Sequence, residues 1–257
     1  MDAVVYTEKG TVQHAQIAEP EAGPGEVIVR MKASGMCHTD LDILHGRYGT
    51  GTFPLVPGHE YAGVIEASGD GVVGLQTGDL VVVDPNIHCG ACRSCAKGQT
   101  NLCENLGGYG TTRNGGFGEF SVVRADHAVA VADMPADRAA LAEPVGCVLN
   151  GLSAVDTEGA ESALVFGAGP IGMFLALALR ARGVHEVTMV ELQDDRLELA
   201  DSFELGTVHA NSDRMTSYRH GVDIVIDATG VAQVAERLTR YAANGGSVLM
   251  FGVCPPG

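Results

Sequence analysis

The sequence is poor in basic residues and contains no long apolar run. Its 257 residues include 16 lysines and arginines but 32 aspartates and glutamates, which gives a formal net charge of −16 at pH 7. Because a protein that binds phosphate groups needs a basic patch, this balance argues against a nucleic acid or an anionic membrane surface as a partner. No apolar segment reaches the roughly 18 residues that a membrane-spanning helix requires.

The first residues also lack the features of a secretion signal. The stretch MDAVVYTEKG has neither a basic segment nor the apolar run that follows one in signal peptides. We therefore expect a cytoplasmic protein, in a compartment where clustered cysteines more often bind a metal or do chemistry than form disulfides. A chain of 257 residues is long enough for two domains of modest size.

The character of the sequence changes near residue 150. Before it, short alternating apolar runs such as EVIVRMKAS and YAGVIEAS are separated by glycine-rich turns, which predicts a β-rich domain over residues 1–150. From 151 to 257, buried strands alternate with helices, which predicts a doubly wound parallel sheet and an α/β protein. Within this second domain we expect a helix over residues 231–246, VAQVAERLTRYAANGG.

Four cysteines fall within the fifteen residues CGACRSCAKGQTNLC. Their gaps of two, two and seven residues allow four thiolates to converge on one ion at about 2.3 Å, and two glycines let the loop fold back on itself. A zinc ion held in this way is structural, because no coordination position is left for a substrate. An iron–sulfur cluster and disulfides remain alternatives, although the bacterial cluster motif has a different spacing. The ligands of this lobe, about residues 86–104, are Cys89, Cys92, Cys95 and Cys103.

A second set of possible metal ligands is spread along the chain. ASGMCHTDLDIL contains Cys37, and FPLVPGHEYAG contains His59 and Glu60. Much further on, LAEPVGC contains Glu143. Taken singly, a lone cysteine is usually a small buried apolar residue, and a glutamate before proline can cap a helix. Together, sulfur, nitrogen and oxygen donors from distant segments predict a zinc ion held by three protein groups, with a fourth position for water or substrate.

The segment VFGAGPIG fits the pattern GxGxxG at Gly167, Gly169 and Gly172. It follows the apolar strand SALVF and opens the helix PIGMFLALALRA, which is the context that a dinucleotide-binding turn requires. The first glycine permits the tight turn, the second lets the backbone approach a pyrophosphate, and the third lets helix and strand pack closely. Pro170 and Ile171 lie within the turn and belong to the predicted cofactor-binding set.

An acidic residue, Glu191, ends the next strand, 19 residues after Gly172. A carboxylate at this place can accept hydrogen bonds from both ribose hydroxyls and would repel a 2′-phosphate, so NAD is favoured over NADP. Arg196 is near enough in the sequence to weaken that preference, or it simply faces solvent on its helix.

In this order, the motifs resemble the zinc-containing medium-chain alcohol dehydrogenases. The similarity rests on GMCHTDLDIL, PLVPGHEYAGVI, the four-cysteine lobe, GGFGEF and the glycine-rich turn, and it extends over nearly the whole chain. The EP dipeptide at Glu143 is closer to the branch of polyol (sorbitol-like), threonine and sugar dehydrogenases than to the liver-type enzymes, which have a cysteine there. The resemblance implies a GroES-like catalytic domain followed by a Rossmann NAD-binding domain.

The resemblance also implies roles for the scattered ligands. Cys37 and His59 correspond to ligands of the catalytic zinc. Glu60 corresponds to a glutamate that can move onto and off the metal, and Glu143 to a direct or water-mediated ligand.

Two further polar residues take their roles from the same resemblance. Asp40 corresponds to the carboxylate that orients the metal-binding histidine, and Thr39 to the hydroxyl that takes the substrate proton. The relay histidine of the liver-type enzymes falls at Asp42, so the proton must leave by a different route here.

The function implied is a zinc-dependent hydride transfer between a secondary alcohol, such as a polyol, sugar or amino alcohol, and NAD. Each chain is expected to hold one zinc ion in each of its two sites and to form a homo-dimer or homo-tetramer. Relative to the family, the connection before GVDIVIDATG is short, and we expect a Rossmann domain that is C-terminally shortened, without the usual last strand and C-terminal return. The alternative is a non-catalytic zinc- and nucleotide-binding protein, or an incomplete subunit of such an enzyme.

Overall fold

The computed structural model describes residues 1–48 and 52–254 and divides into two compact units, Met1–Glu143 and Pro144–Gly257. The boundary predicted at residue 150 falls inside the helix Ala142–Leu152. The second unit begins before residue 150 because Val148 and Leu152 of this helix pack into its core. Residues 255–257 of the predicted second domain lie outside the described residues.

The first unit is built around an antiparallel sheet with the strand order β8-β3-β4-β5-β9, beside which β1 pairs with β2. Alternate residues of its strands, such as Val27 and Val29, are fully buried, as expected for a sheet with one face on the core. The strands are β1 (Asp2–Glu8), β2 (Thr11–Gln16), β3 (Glu26–Ser34), β4 (Tyr61–Ser68), β5 (Leu80–Val83), β6 (Asn86–Ile87), β7 (Gly107–Gly108), β8 (Phe120–Arg124) and β9 (Ala128–Ala130). The helices are α1 (His38–Leu44), α2 (Arg93–Ala96) and α3 (Ala136–Ala139).

The second unit contains a parallel sheet with the order β12-β11-β10-β13-β14, which is the doubly wound arrangement that the sequence predicts. The carboxyl ends of β10, β11 and β13 therefore meet at one edge of this sheet. The strands are β10 (Ser162–Phe166), β11 (Glu186–Glu191), β12 (Gly206–His209), β13 (Val222–Asp227) and β14 (Ala242–Met250). The helices are α4 (Ala142–Leu152), α5 (Pro170–Ala181), α6 (Asp194–Ser202) and α7 (Ala232–Ala235).

Both faces of the parallel sheet are covered by apolar side chains. Along β10, Ala163 and Val165 belong to one core, while Leu164 and Phe166 belong to the other. This explains why the strand is almost continuously apolar. In the part of the chain that the structure describes, no helix is long and apolar enough to cross a membrane.

The helix predicted over residues 231–246 is wrong. Only α7 and a 3-10 turn at Leu238–Arg240 are helical, and β14 already begins at Ala242. Two tertiary contacts determine this boundary: Tyr241 packs on Phe166 with ring centroids 5.3 Å apart, and Ala242 pairs with Val222. The connection before β13 is a 3-10 helix, Asp213–Tyr218, in agreement with the short crossover expected there.

Candidate active site

Cys37, His59 and Glu60 come together in the first unit. Cys37 is the N-cap residue of α1, and the other two residues immediately precede β4. One potential ligand atom from each of the three residues lies within 4.8 Å of the others. The cluster joins a soft thiolate, an imidazole and a carboxylate, which together can hold a zinc ion and leave a fourth position open.

Asp40 fixes the two segments that carry this cluster. Its side chain is only 1% exposed. Its Oδ2 accepts a hydrogen bond from the backbone N–H of Cys37 at 2.9 Å, and its Oδ1 accepts one from Gly58 at 3.2 Å. The same Oδ1 lies 3.2 Å from Nδ1 of His59, a close ionic contact that lacks the alignment of a good hydrogen bond. Asp40 thus holds one side of the imidazole and leaves the other ring nitrogen for a metal.

The charges in the cluster favour a cation. Burial of His59 opposes protonation, but Asp40 and Cys37 outweigh it and raise the pKa of the imidazole to about 10. Burial raises the pKa of Glu60, and repulsion by Glu143 adds to that effect, against smaller opposing contributions from His59 and Cys37. A metal ion binds the neutral imidazole and the anionic carboxylate, so it would displace the protons that the raised pKa values of His59 and Glu60 favour.

Two other predicted residues lie beside the cluster. The hydroxyl Oγ1 of Thr39 is 3.5 Å from Sγ of Cys37. Glu143 is half-buried and close enough to influence the pKa of Glu60, but it is not part of the set of ligand atoms within 4.8 Å. The catalytic role of Thr39 and the ligand role of Glu143 therefore stay predictions.

The four cysteines of the lobe also converge. Their sulfur atoms all lie within 4.8 Å of one another, with Sγ of Cys92 at 3.5 Å from Cys95 and 3.9 Å from Cys103. These separations are far longer than the roughly 2.05 Å of a disulfide, so no disulfide joins these four cysteines. Backbone N–H groups of Ala91 and Cys92 lower the pKa of Cys89 to about 6, while desolvation raises the pKa of Cys95 to about 12, so the thiolate that a metal requires is favoured at Cys89 and not at Cys95.

We expect Cys89→Ser to lose one zinc ion per chain and to expose the lobe to proteolysis. The short pair β6–β7 brackets residues 88–106, and among these only Cys103 is buried. Because so little apolar surface is buried, we expect metal binding to supply much of the free energy that folds this segment. Metal analysis and limited digestion with trypsin, which can cleave after Arg93 and Lys97, measure the two effects. Cys147→Ser, at an exposed cysteine outside both clusters, is the control. If the Cys89 variant keeps the metal content and the digestion pattern of the unchanged protein, the four cysteines of the lobe do not form a metal cage.

The glycine-rich segment forms the turn between β10 and α5. Gly167 has a φ of +96°, a backbone conformation that favours glycine. A Cβ at Gly172 would overlap the carbonyl oxygen of Gly167, whereas a Cβ at Gly169 would meet nothing within 4 Å. The third glycine therefore serves close packing, and the space over the second is open to a ligand. Pro170 takes the first helical position of α5, and Ile171 packs partly against the core.

Glu191 ties this turn to the end of β11. Its Oε2 accepts a hydrogen bond from the backbone N–H of Ala168 at 2.9 Å, and its Oε1 accepts one from Leu192 at 2.6 Å. Although burial acts in the opposite direction, these and a third backbone N–H lower the pKa of the carboxyl group. Nη1 of Arg196 lies 3.6 Å from Oε2, so Arg196 does not simply face solvent.

Asp227 is a buried polar residue that the sequence analysis missed. It ends β13 and is completely buried, and its Oδ1 accepts hydrogen bonds from the backbone N–H and the hydroxyl of Thr229, at 2.8 and 2.6 Å. The methyl group of Thr229 would lie 3.0 Å from a Cβ at Gly167, so the two turns pack together. The sequence feature that could have revealed it is an aspartate directly after the apolar strand VDIVI. A carboxylate that is buried at the end of such a strand needs hydrogen-bond partners.

Two family models match nearly all of the chain. The alcohol dehydrogenase GroES-like domain matches residues 23–133, and the glucose dehydrogenase C-terminus matches residues 136–257. The division between them lies close to the boundary between the two structural units. The predicted combination of a GroES-like domain with a Rossmann-like parallel sheet is thereby confirmed.

Individual proteins support the same assignment. The chain is 50% identical over 260 residues to the D-altritol 5-dehydrogenase of Agrobacterium fabrum, covering 100% of this chain and 77% of that protein. It is 33% identical over 252 residues to the L-threonine 3-dehydrogenase of Idiomarina loihiensis, covering 93% and 73%. A structure from Sinorhizobium meliloti described as a zinc-binding dehydrogenase, bound to NADP, superposes with a TM-score of 0.94 at 32% identity and covers 100% and 78%. These similarities favour an enzyme over a non-catalytic zinc- and nucleotide-binding protein. The chain belongs to the family of zinc-dependent medium-chain alcohol dehydrogenases.

Proposed function

We propose that the protein transfers a hydride between a secondary alcohol group of a polyol and NAD. The observation that carries the proposal is the convergence of Cys37, His59 and Glu60 within 4.8 Å. The 50% identity to a D-altritol 5-dehydrogenase supports an open-chain polyol as the substrate class.

The residues of the cluster fit a catalytic zinc ion, with Cys37, His59 and Glu60 as direct ligands and Glu143 as a direct or water-mediated one. When bound, zinc acts as a Lewis acid that lowers the pKa of an alcohol. Asp40 holds the imidazole of His59 in the orientation in which its other ring nitrogen can bind zinc.

Thr39 is the proposed first group to take the substrate proton, since its hydroxyl lies 3.5 Å from Sγ of Cys37 and can accept that proton while it passes its own proton on toward solvent. Asp42, at the position of the liver-type relay histidine, is engaged in an ion pair with Arg47 at 2.8 Å. Proton exit through Asp42 would therefore have to compete with this ion pair.

For the cofactor, the proposed site is the turn of Gly167, Gly169 and Gly172 together with Glu191. The carboxylate of Glu191 faces the start of this turn and would bind the ribose hydroxyls and repel a 2′-phosphate. The ion pair with Arg196 supports NAD further, because a guanidinium that is held at the carboxylate of Glu191 is not available to bind a 2′-phosphate.

We expect Glu191→Ser to shift the ratio of kcat/KM for NADP over NAD upward by about 100-fold. A hydrogen bond to a charged group contributes about 1.5–3 kcal/mol, and the variant loses that bond to the ribose while it releases Arg196 for a phosphate. Steady-state rates with both cofactors measure the ratio. Glu198→Ser, at an exposed carboxylate on α6, is the control and should leave the ratio unchanged. If the Glu191 variant behaves like this control, Glu191 does not select the cofactor.

The proposed activity is tested by following NAD reduction with a panel of hexitols, pentitols, simple secondary alcohols and L-threonine. We expect the highest kcat/KM with a polyol. L-threonine is the second candidate because the relative from Idiomarina loihiensis is an L-threonine 3-dehydrogenase. Metal analysis of the same preparation tests the expectation of zinc in both sites. A homo-dimer or homo-tetramer and a cytoplasmic location also stay predictions.

A further inference from the structure

Gly35 lies directly opposite Glu60 in the antiparallel ladder. The last described pair of β3 and β4 is Ser34 with Tyr61, so Gly35 and Glu60 continue it by one step. The backbone N–H of Gly35 donates a hydrogen bond to the carbonyl oxygen of Glu60 at 2.6 Å, which confirms the continuation. Side chains at such opposed positions face each other at about 4.5–5.5 Å.

The space that a side chain at position 35 would occupy is filled by the carboxylate of Glu60. A Cβ built on Gly35 would overlap Oε2 of Glu60 and lie 3.1 Å from its Cβ and 3.4 Å from its Cδ. Gly35 does not have a positive φ, so its backbone conformation does not require glycine. The need for glycine here comes from the neighbouring carboxylate.

We propose that Gly35 is a positioning residue for the metal centre: its missing side chain is what allows the carboxylate of Glu60 to lie beside Cys37 and His59. The inference rests on the proposed function, because it assumes that these three residues hold an ion. It identifies a residue that shapes the metal site without being a ligand, since position 35 itself offers no donor atom.

Hydrogen bonds hold the backbone of Glu60 in place. Its backbone is held by Gly35 and by the hydroxyl of Ser34, which donates to the same carbonyl oxygen at 3.4 Å. A methyl group at position 35 therefore cannot be accommodated by moving the backbone of Glu60 without breaking this ladder. The carboxylate, at the end of a flexible side chain, is the part that moves, and with it the third metal ligand.

The test replaces zinc by the NMR-active isotope of cadmium in the full chain and records one resonance for each site. A site of four sulfurs and a site of mixed donors have different chemical shifts, so the cage serves as an internal reference. We expect Gly35→Ala to move the mixed-donor resonance and to weaken cadmium binding at that site about tenfold, which is typical when a residue that positions a metal ligand is changed. The cage resonance should stay in place.

A double-mutant cycle assigns this effect to Glu60. In a Glu60→Ala background, Gly35→Ala should change neither the mixed-donor resonance nor the cadmium affinity, because no carboxylate is left to displace. If the single variant fails to fold, the double variant should fold, since the overlapping oxygen is gone. Gly221→Ala, where a new Cβ would meet no atom closer than 3.8 Å, should behave like the unchanged protein.

The possible failures can be told apart. A mixed-donor resonance that is present but unmoved in Gly35→Ala overturns the role of Gly35 and leaves the proposed function standing. An equal effect of Gly35→Ala with and without Glu60, or a double variant that does not fold, overturns it as well. If the unchanged protein shows only the cage resonance, the catalytic metal site fails and the role of Gly35 fails with it.

Discussion

Cys37→Ser is expected to lower the rate of NAD reduction by at least about 1,000-fold while the protein stays folded. Cys37 is one of the three proposed ligands, and a neutral serine hydroxyl is a poorer ligand for zinc than a thiolate. Lewis-acid stabilisation of the transition state contributes several kcal/mol, and about 4 kcal/mol corresponds to a factor of about 1,000. The bound zinc should fall by one ion per chain.

The fold should tolerate this substitution because of where Cys37 lies. It is the N-cap residue of α1 and forms a reciprocal capping arrangement with Asp40. Serine is among the preferred N-cap residues, so the helix start is preserved or strengthened. Thermal unfolding of the metal-free variant should match that of the metal-free unchanged protein, since bound zinc itself raises the melting temperature, and Cys147→Ser provides the same chemical change at an exposed position. Activity within tenfold of the unchanged protein would show that Cys37 holds no catalytic metal.

Much of the second unit could be predicted because its local signals agree with its tertiary structure. The strand SALVF is apolar throughout, and Gly169 followed by Pro170 marks the start of α5 as an N-terminal proline should. The region from 231 to 246 could not be predicted in the same way. Its alanines, glutamate and arginines favour a helix locally, but Tyr241 and Ala242 are held in the core and in the sheet by distant residues, and these contacts outweigh propensity.

In the active site, the sequence reveals donor atoms but not the spaces between them. Cys37, His59 and Glu60 could be singled out because sulfur, nitrogen and oxygen donors are chemically distinctive. The contribution of Gly35 is invisible in the sequence, since it depends on which residue lies opposite in the ladder. The same holds for Asp227, whose contact with Thr229 has meaning only once that turn packs on the glycine-rich turn.

Gly172→Ala is expected to lower the melting temperature by on the order of 10 °C and to weaken NADH binding at least about 100-fold. Its Cβ would overlap the carbonyl oxygen of Gly167 and lie 3.0 Å from the carbonyl carbon. These are backbone atoms of the turn, which cannot rotate away as a side chain can. Overpacking costs about 1–3 kcal/mol, and we place this variant at the upper end because the turn itself is displaced. Each kcal/mol lowers the melting temperature by roughly 2–8 °C, depending on domain size.

Gly169→Ala separates packing from binding at the same turn. A Cβ there would meet nothing within 4 Å, so thermal stability should be retained. NADH affinity should still fall, because the added methyl group would occupy the space that the pyrophosphate needs to approach the backbone. Thermal unfolding and titration of NADH fluorescence measure the two quantities for both variants, with Gly221→Ala as the control for a harmless glycine substitution. If Gly172→Ala is as stable as this control, the close contact with Gly167 is not required. If Gly169→Ala binds NADH normally, the pyrophosphate does not lie over this turn, and the cofactor must be bound elsewhere in the second unit.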